Sequence, residues 1–323
     1  MITPTTGAQA ESLWNGKRYY SLNAYLKQTY KEKVYRLSLN GGMTCPNRDG
    51  TLGSRGCIFC SAGGSGDFAA DSTLSITKQL EDARQRIAQK TDCHKYIAYF
   101  QAYTNTYSDI SYLRRIYLEA VADPGVVALS IATRPDCISD EVLALLAEIN
   151  ELKPIWIELG LQTIHPATSQ WIRSGFSYEC FLRTVDRLSH AGIPMIVHLI
   201  LGLPGETMQM MLASIDAVCA LPISGIKLQL LHVLEGTDLA DDYRQHPFPL
   251  FTMEEYCAFI PRCLERIPAH IVIHRITGDG PRRLLIAPLW STDKKRVLNE
   301  IHRNMRLMDT WQGKCVPSAA HPL

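Results

Sequence analysis

The chain has 323 residues, 46% hydrophobic and 20% charged, with a formal net charge of +1, a length that suits one large α/β domain with an appendage or two small domains. No apolar run approaches the roughly 20 residues that span a bilayer, and the start, MITPTTGAQAESLWNG, lacks the basic and then apolar segments of a signal peptide. A soluble, cytoplasmic protein without a membrane partner is therefore expected, and its ten cysteines point to metal ligation or catalysis rather than to a disulfide framework.

In chain order, residues 11–32 carry Trp14, Tyr19, Tyr20, Leu22, Tyr25, Leu26 and Tyr30 and read as a helix that packs against the rest. Residues 1–32 are thus an N-terminal helical extension. Six apolar, β-branched runs follow at 33–40, 95–103, 126–133, 154–162, 194–202 and 225–233, with the near-continuous hydrophobicity of strands covered on both faces. Helical patterns lie between them. Ile76, Leu80, Ala83 and Ile87 share a face after Asp71-Ser72-Thr73, Leu113, Ile116 and Ala120 after Ser108, and Val142, Leu145, Leu146 and Ile149 after Ser139. Phe181, Val185 and Leu188 follow Ser177, and Leu212, Ile215 and Cys219 precede the sixth strand.

Six successive β-α units imply right-handed crossovers and either a doubly wound sheet or a barrel. Six are too few to close an eight-fold barrel. The expected fold is α/β, a partial (β/α)6 TIM-type barrel over residues 33–240 with a lateral gap. Residues 241–323 read as a small C-terminal cap and a candidate substrate-binding element: a helix near 252–266, a strand at 271–276 and a basic helix near 292–308.

Charge is uneven. Residues 1–60 hold eight Lys/Arg against three Asp/Glu, residues 273–323 nine against four, and the stretch between sixteen against twenty-five. Basic ends around an acidic middle fit either a polyanion-binding face or ordinary solvated helices.

The first strand runs into NGGMTCPNRDGTLGSRGCIFC (40–60), with the spacing Cys45–x11–Cys57–x2–Cys60. Ligands of β/α folds gather at the carboxyl ends of strands. Three soft thiolates on one glycine-rich loop suit three irons of a cubane cluster and leave the fourth iron without a protein ligand. The same cysteines suit a structural zinc site if Cys93 or His94 supplies a fourth ligand. Cys257, Cys263 and Cys315 lack the spacing of a second cluster site.

This loop, together with the motifs at the strand ends, resembles the cluster loop of radical S-adenosylmethionine (SAM) enzymes whose first gap is stretched, as in the Elongator catalytic subunit. The resemblance covers roughly residues 33–280. It is nearest to bacterial YhcC/YtqA-type radical SAM proteins, through CPNRDG (45–50) and CIFC (57–60). It implies one 4Fe–4S cluster on Cys45, Cys57 and Cys60, SAM bound at the unique iron, reductive cleavage to a 5′-deoxyadenosyl radical, and an external electron donor of flavodoxin or ferredoxin type.

The resemblance also implies SAM contacts. Phe59 would lie near the adenine, unless it is an ordinary core aromatic. FQAYTNTYS offers Gln101, Tyr103 and Thr104 for the amino end of SAM, although the glycine pair common in the superfamily is missing. SIATRPDC keeps Arg134 and Asp136 of an ETRPD-like pattern but has Ala132 in place of the Glu. In ELGLQT, Gln162 would bond SAM, while Glu158 reads as a barrel-interior carboxylate. Arg173-Ser174-Gly175-Phe176 stands where relatives have Asn-Arg-Gly-His, one register off, so Arg173 is a candidate carboxylate contact. VHLILGLPGET places His198 in the barrel near the ribose, or as a satisfied core residue, with Gly202 letting the backbone pass close by. Cys137 and Cys180 are either hydrogen-atom donors or small buried hydrophobes.

For the substrate, RNA, most of all tRNA, fits the Elongator-like motifs, the basic ends, and the Tyr19, Tyr20, Tyr25 and Tyr30 that interleave with Lys17, Arg18, Lys27 and Lys31. Packing of those tyrosines on the barrel is the alternative. A small-molecule or porphyrin-type substrate and a non-catalytic, zinc-stabilised RNA-binding protein are the other readings. His274-Arg275 and the run from Gly278 to Arg283 are candidate substrate-facing groups at the barrel mouth.

Overall fold

The computed structural model describes residues 3–64, 66–89, 92–278 and 280–317. Its strands are β1 (Val34–Leu39), β2 (Lys95–Phe100), β3 (Val126–Thr133), β4 (Ile155–Gln162), β5 (Met195–Leu201), β6 (Gly225–Leu230), β7 (Val233–Leu234), β8 (Val272–Arg275) and β9 (Leu285–Ala287). Seven form one parallel sheet in the order β1-β2-β3-β4-β5-β6-β8, curled into a half-barrel. The partial TIM-type barrel expected from the periodicity is the observed fold, with one more strand than the six read from sequence.

That seventh strand is IVIHRI, which the sequence reading assigned to the cap. It pairs with β6 at Gly225↔Val272 and Ile226↔Ile273, because its apolar residues find cover only inside the sheet. The sixth apolar run is broken instead of continuous: β6 stops at Leu230, and β7 leaves to pair antiparallel with β9 over the mouth.

The helices are α1 (Gly7–Leu13), α2 (Leu22–Tyr30), α3 (Ile76–Ala88), α4 (Ile110–Ala122), α5 (Asp140–Leu152), α6 (Pro166–Trp171), α7 (Tyr178–His190), α8 (Met208–Cys219), α9 (Asp238–Gln245), α10 (Met253–Glu265) and α11 (Lys294–Leu307). The predicted caps Ser139 and Ser177 each accept a backbone N–H at 3.2 Å. Helix α3 starts later than expected, capped by Ser75. Asp71 instead bonds Thr73 in a turn of its own.

The N-terminal segment holds two helices, not one, because Asn15 and Gly16 take left-handed backbone angles and break the run. It lies at the amino end of the barrel. Ile273 N–H donates to Tyr20 O at 2.8 Å, so the segment stitches the open edge of β8 while α2 packs across β1 and β8. Leu26 joins Ile97, Ala128, Trp156 and Ile196 in a plug that fills the base of the barrel, with the Tyr25 ring 5.9 Å from Trp156. Tyr19 and Tyr20 are buried, and Tyr20 stacks on Trp14. These aromatics are packing residues at the pole opposite the cysteine loop, not a face for stacking bases. The chain's other end returns to the same place. Buried Gln312 accepts from Tyr20 N–H and donates to the carbonyls of Pro268 and Ile271, each at 2.8 Å.

Among the described residues no helix is long and apolar enough to cross a membrane.

Candidate active site at the carboxyl ends of the strands

Beyond β1 the chain closes on itself. The Cys45 carbonyl accepts from Arg48 N–H at 2.7 Å, Asn47 O from Gly56 N–H at 2.7 Å, and Cys57 O from Cys60 N–H at 3.0 Å. These turns take up the eleven-residue gap and bring Cys45, Cys57 and Cys60 to the wall of one cavity of about 250 Å³. Two side chains brace the loop. Arg48 donates to the carbonyls of Cys60 and Ser61 at 2.9 and 2.6 Å. Asn47 donates to Arg173 O at 2.7 Å and lies 3.5 Å from the Cys57 sulfur. Gly175 makes that close approach possible: its φ is +78°, and a methyl group there would meet Asn47 Oδ1 at 2.7 Å.

Burial, reinforced by Cys60, pushes the Cys57 thiol up to about 11, a bias that a bound metal cation reverses by favouring the thiolate. Cys93 and His94, the fourth ligands considered for zinc, precede β2 and so sit at the opposite end of the strands from the loop that follows β1. Among the described residues no three His, Cys, Asp or Glu side chains converge on a single metal ion.

Below the loop, every second strand residue faces the barrel interior, and these residues form layers. Above the apolar plug comes a polar layer centred on Glu158, which is 1% exposed. Its Oε1 accepts from Ser130 at 2.8 Å. Its Oε2 accepts from Tyr99 at 3.0 Å, from His198 Nε2 at 2.9 Å and from Lys227 Nζ. Burial alone would raise the Glu158 carboxyl, but Lys227 and His198 outweigh it and hold the group well below the usual range. Lys227 is equally buried, and burial pushes its ammonium down to about 7 against the pull of Glu158. His198 is pushed down to about 4 by burial and by Lys227, so it is neutral and donates from Nε2. Gln101, Ala132, Gly160, Ile200 and Gln229 form the next layer, and the cysteines, Arg134 and Gln162 the rim; all of them line the cavity.

A cavity walled by three cysteines at the carboxyl ends of a parallel half-barrel agrees with the comparisons. The sequence profile of the Radical SAM superfamily matches residues 50–218, and that of the Radical_SAM C-terminal domain matches residues 223–306. The chain belongs to the radical SAM superfamily. Cys57 and Cys60 fall inside the first match, and Cys45 lies just ahead of it. Among curated proteins it is 43% identical to the uncharacterized protein YtqA of Bacillus subtilis over 92% of both chains. It is 24% identical to a tRNA uridine(34) acetyltransferase of Methanocaldococcus jannaschii, over 52% of this chain and 31% of that one. Among solved structures it resembles the archaeal Methanocaldococcus infernus Elp3, with a TM-score of 0.67 at 17% identity. That likeness concerns the fold and covers 86% of this chain but 64% of the Elp3 chain, less than two thirds.

Within this radical SAM barrel, Phe59, Gln101, Thr104, Arg134, Gln162 and His198 all line the cavity that the cysteines share. Thr104 is buried, and its N–H donates to Thr44 O at 3.2 Å, tying the end of β2 to the cysteine loop. Arg134 forms a two-point ion pair with Asp136 at 2.9 and 2.7 Å, and its guanidinium lies 5.3 Å from the centre of the Phe176 ring. Gln162 has a φ of +73° at an irregularity in the β4–β5 register, and its amide folds back over Gly160.

Other candidates face elsewhere. Gly202 is absent from the cavity wall, and its α-carbon packs against Phe251. The Arg173 guanidinium pairs with Asp238, which also binds Arg55, so only its carbonyl serves the cysteine loop. His274 turns toward Trp156 at the base, 5.7 Å between rings, whereas Arg275, Gly278, Gly280 and Pro281 reach the cavity. Asp279 lies outside the described residues, and Arg282 bonds Thr292 O. Cys137 and Cys180 are not on the cavity wall.

Asn47, Arg48 and Lys227 matter to this site and were missed from sequence. Lys227 left one signal, a lone cation in the apolar run GIKLQL.

The wall fits SAM chemistry in one further respect. The Gln162 amide oxygen is buried and has no hydrogen-bond partner among the described residues. It is an acceptor in position for an ammonium or hydroxyl donor, and such an orphan in a folded protein calls for a partner.

Proposed function

We propose that this radical SAM enzyme holds one 4Fe–4S cluster on Cys45, Cys57 and Cys60, binds SAM in the adjoining cavity, and acts on RNA, most specifically on a tRNA. The observation that carries the reading is the meeting of three thiols from one loop with the orphaned acceptor of Gln162 in a single cavity. When bound and reduced by an external flavodoxin- or ferredoxin-type donor, the cluster supplies the electron that cleaves SAM to a 5′-deoxyadenosyl radical. The protein's part is to hold and shield. Asn47 and Arg48 fix the loop that carries the thiolates. Gln162, Gln101 and Thr104 offer polar contacts for the methionine and ribose parts of SAM, and Phe59 an apolar face for adenine. Arg134, held by Asp136, presents a positive charge at the rim. His198, fixed in one tautomer by Glu158, faces the same space.

The RNA reading is supported by the relatives that modify tRNA, as their names state, and by the basic C-terminal segment. Protein purified without oxygen and reconstituted should carry about four irons and four sulfides per chain, and with SAM and dithionite should form 5′-deoxyadenosine. The Cys57→Ala variant should lose that product. Zinc in place of iron, and no deoxyadenosine after reconstitution, would refute the proposal. Salt-sensitive binding of bulk tRNA to the holoenzyme then tests the RNA part.

A further inference from the structure

The sheet ends in two unpaired edge strands, β1 and β8, and the half-barrel is open between them. On the β1 side stands Phe68, which lines the cavity although it is 57% exposed. Ala70, two residues on, donates its N–H to Ser38 O of β1 at 3.2 Å. A large aromatic ring left in water on a cavity wall is apolar surface without a partner. On the other side, β8 runs into Gly278, Gly280 and Pro281, which also line the cavity. Residues 281–299 then hold Arg282, Arg283, Lys294, Lys295 and Arg296 against Asp293 alone. Arg282 donates to Thr292 O at 2.8 Å, so the first turn of α11 sits beside the turn that follows Pro281. Arg282, Arg283, Lys295 and Arg296 flank that contact, and all four are exposed. Asp293 is used as the helix cap on Arg296 N–H at 3.0 Å, and Glu235, whose N–H donates to Leu284 O, is paired with Arg244. Among the described residues Arg283, Lys295 and Arg296 form no ion pair.

We infer that the opening of the half-barrel is a docking rim for single-stranded RNA: Phe68 stacks on an unpaired base at one edge, while Arg282, Arg283, Lys295 and Arg296 hold backbone phosphates at the other. This rests on the proposal that the enzyme acts on RNA and adds where and in what form the RNA binds. A cavity of about 250 Å³ that must also hold SAM has room for one splayed-out base and not for a duplex. The rest of the strand stays outside, and its phosphates need cations at the opening. An exposed ring beside unpaired cations is the pairing that binds single strands, because every base offers a face to stack and every nucleotide a charge. An acidic protein would match the cations but would have no use for the ring on the cavity wall.

The test uses the reconstituted holoenzyme with SAM, titrated by fluorescence anisotropy with a labelled mixed-sequence single-stranded RNA, with the same strand annealed to its complement, and with bulk tRNA. The single strand should bind more tightly than the duplex. Phe68→Ala should weaken its binding by about tenfold, and Phe68→Tyr should recover most of the loss. Arg283→Gln, Lys295→Gln and Arg296→Gln together should flatten the dependence of log affinity on log salt by about 2, at roughly 0.7 per phosphate contact. Arg114→Gln, which removes an exposed arginine on α4, should bind as the wild type does, and melting temperatures confirm that each variant is folded. Tight binding of tRNA with no change in the Phe68→Ala protein or in the triple variant would overturn the rim and leave the RNA reading standing, as would equal affinity for strand and duplex. No binding of any RNA would overturn both, and deoxyadenosine formation on the same preparation then shows whether the radical SAM reading survives. Unchanged RNA binding in the triple variant, with product lost when flavodoxin is the reductant but not when dithionite is, would assign the cations to an acidic protein partner and overturn the rim.

Discussion

Replacing Lys227 with methionine removes a charge and keeps the length of the side chain, so it isolates the ion pair from any packing loss. In the variant the Glu158 carboxylate stays in a site where it is 1% exposed, with Ser130, Tyr99 and His198 still donating but no cation in contact. Removing one partner of a buried pair costs about 3–5 kcal/mol. For a chain of this size that lowers the melting temperature by about 6–10 °C, at roughly 2 °C per kcal/mol. The measurement is thermal unfolding followed by circular dichroism at pH 6.5, where the Lys227 ammonium, pushed down to about 7, is still mostly protonated. A second protein carrying both Lys227→Met and Glu158→Gln has no orphaned charge and should regain at least about 2 kcal/mol over the single variant. A Lys227→Met protein that melts within about 2 °C of wild type, or a double variant whose loss equals the sum of the two single losses, would show that the pair is not a coupled buried unit.

Gln162→Leu removes the orphaned acceptor and should weaken SAM binding by about tenfold without changing iron per chain; equilibrium dialysis with SAM checks both against the same preparation. Gly175→Ala forces a side chain into a left-handed backbone, at about 1–2 kcal/mol, and presses on Asn47. Iron retained per chain after reconstitution should fall, whereas full occupancy would mean that Asn47 does not brace the loop.

The cysteine loop was legible because its chemistry is local: the spacing, the glycines and the preceding strand all lie within about thirty residues. Gln101, Thr104, Arg134 and Gln162 were legible for a related reason, since they end or closely follow strands and strand ends meet in any β/α array. Gly202 and Arg173 read the same way and were misplaced, because Phe251 and Asp238, which claim them, come from distant parts of the chain. The polar layer was half visible. Glu158 read as an interior carboxylate, but Lys227 faces it only because β4, β5 and β6 are staggered, with Glu158 opposite Ile196 and His198 opposite Lys227. A stagger between strands leaves no trace within any one of them. The seventh strand was seen and assigned to the wrong unit, since α9 and α10 separate it from β6 and hide the pairing.

Gln312 ties both ends of the chain to one pole of the barrel. The half-barrel is thereby fastened at both poles: at the base Tyr20 meets Ile273, and at the mouth Leu239 N–H donates to Ile58 O at 2.9 Å while Asp238 pairs with Arg55. A substrate that enters from the side therefore meets a rim already bridged between the cysteine loop and α9.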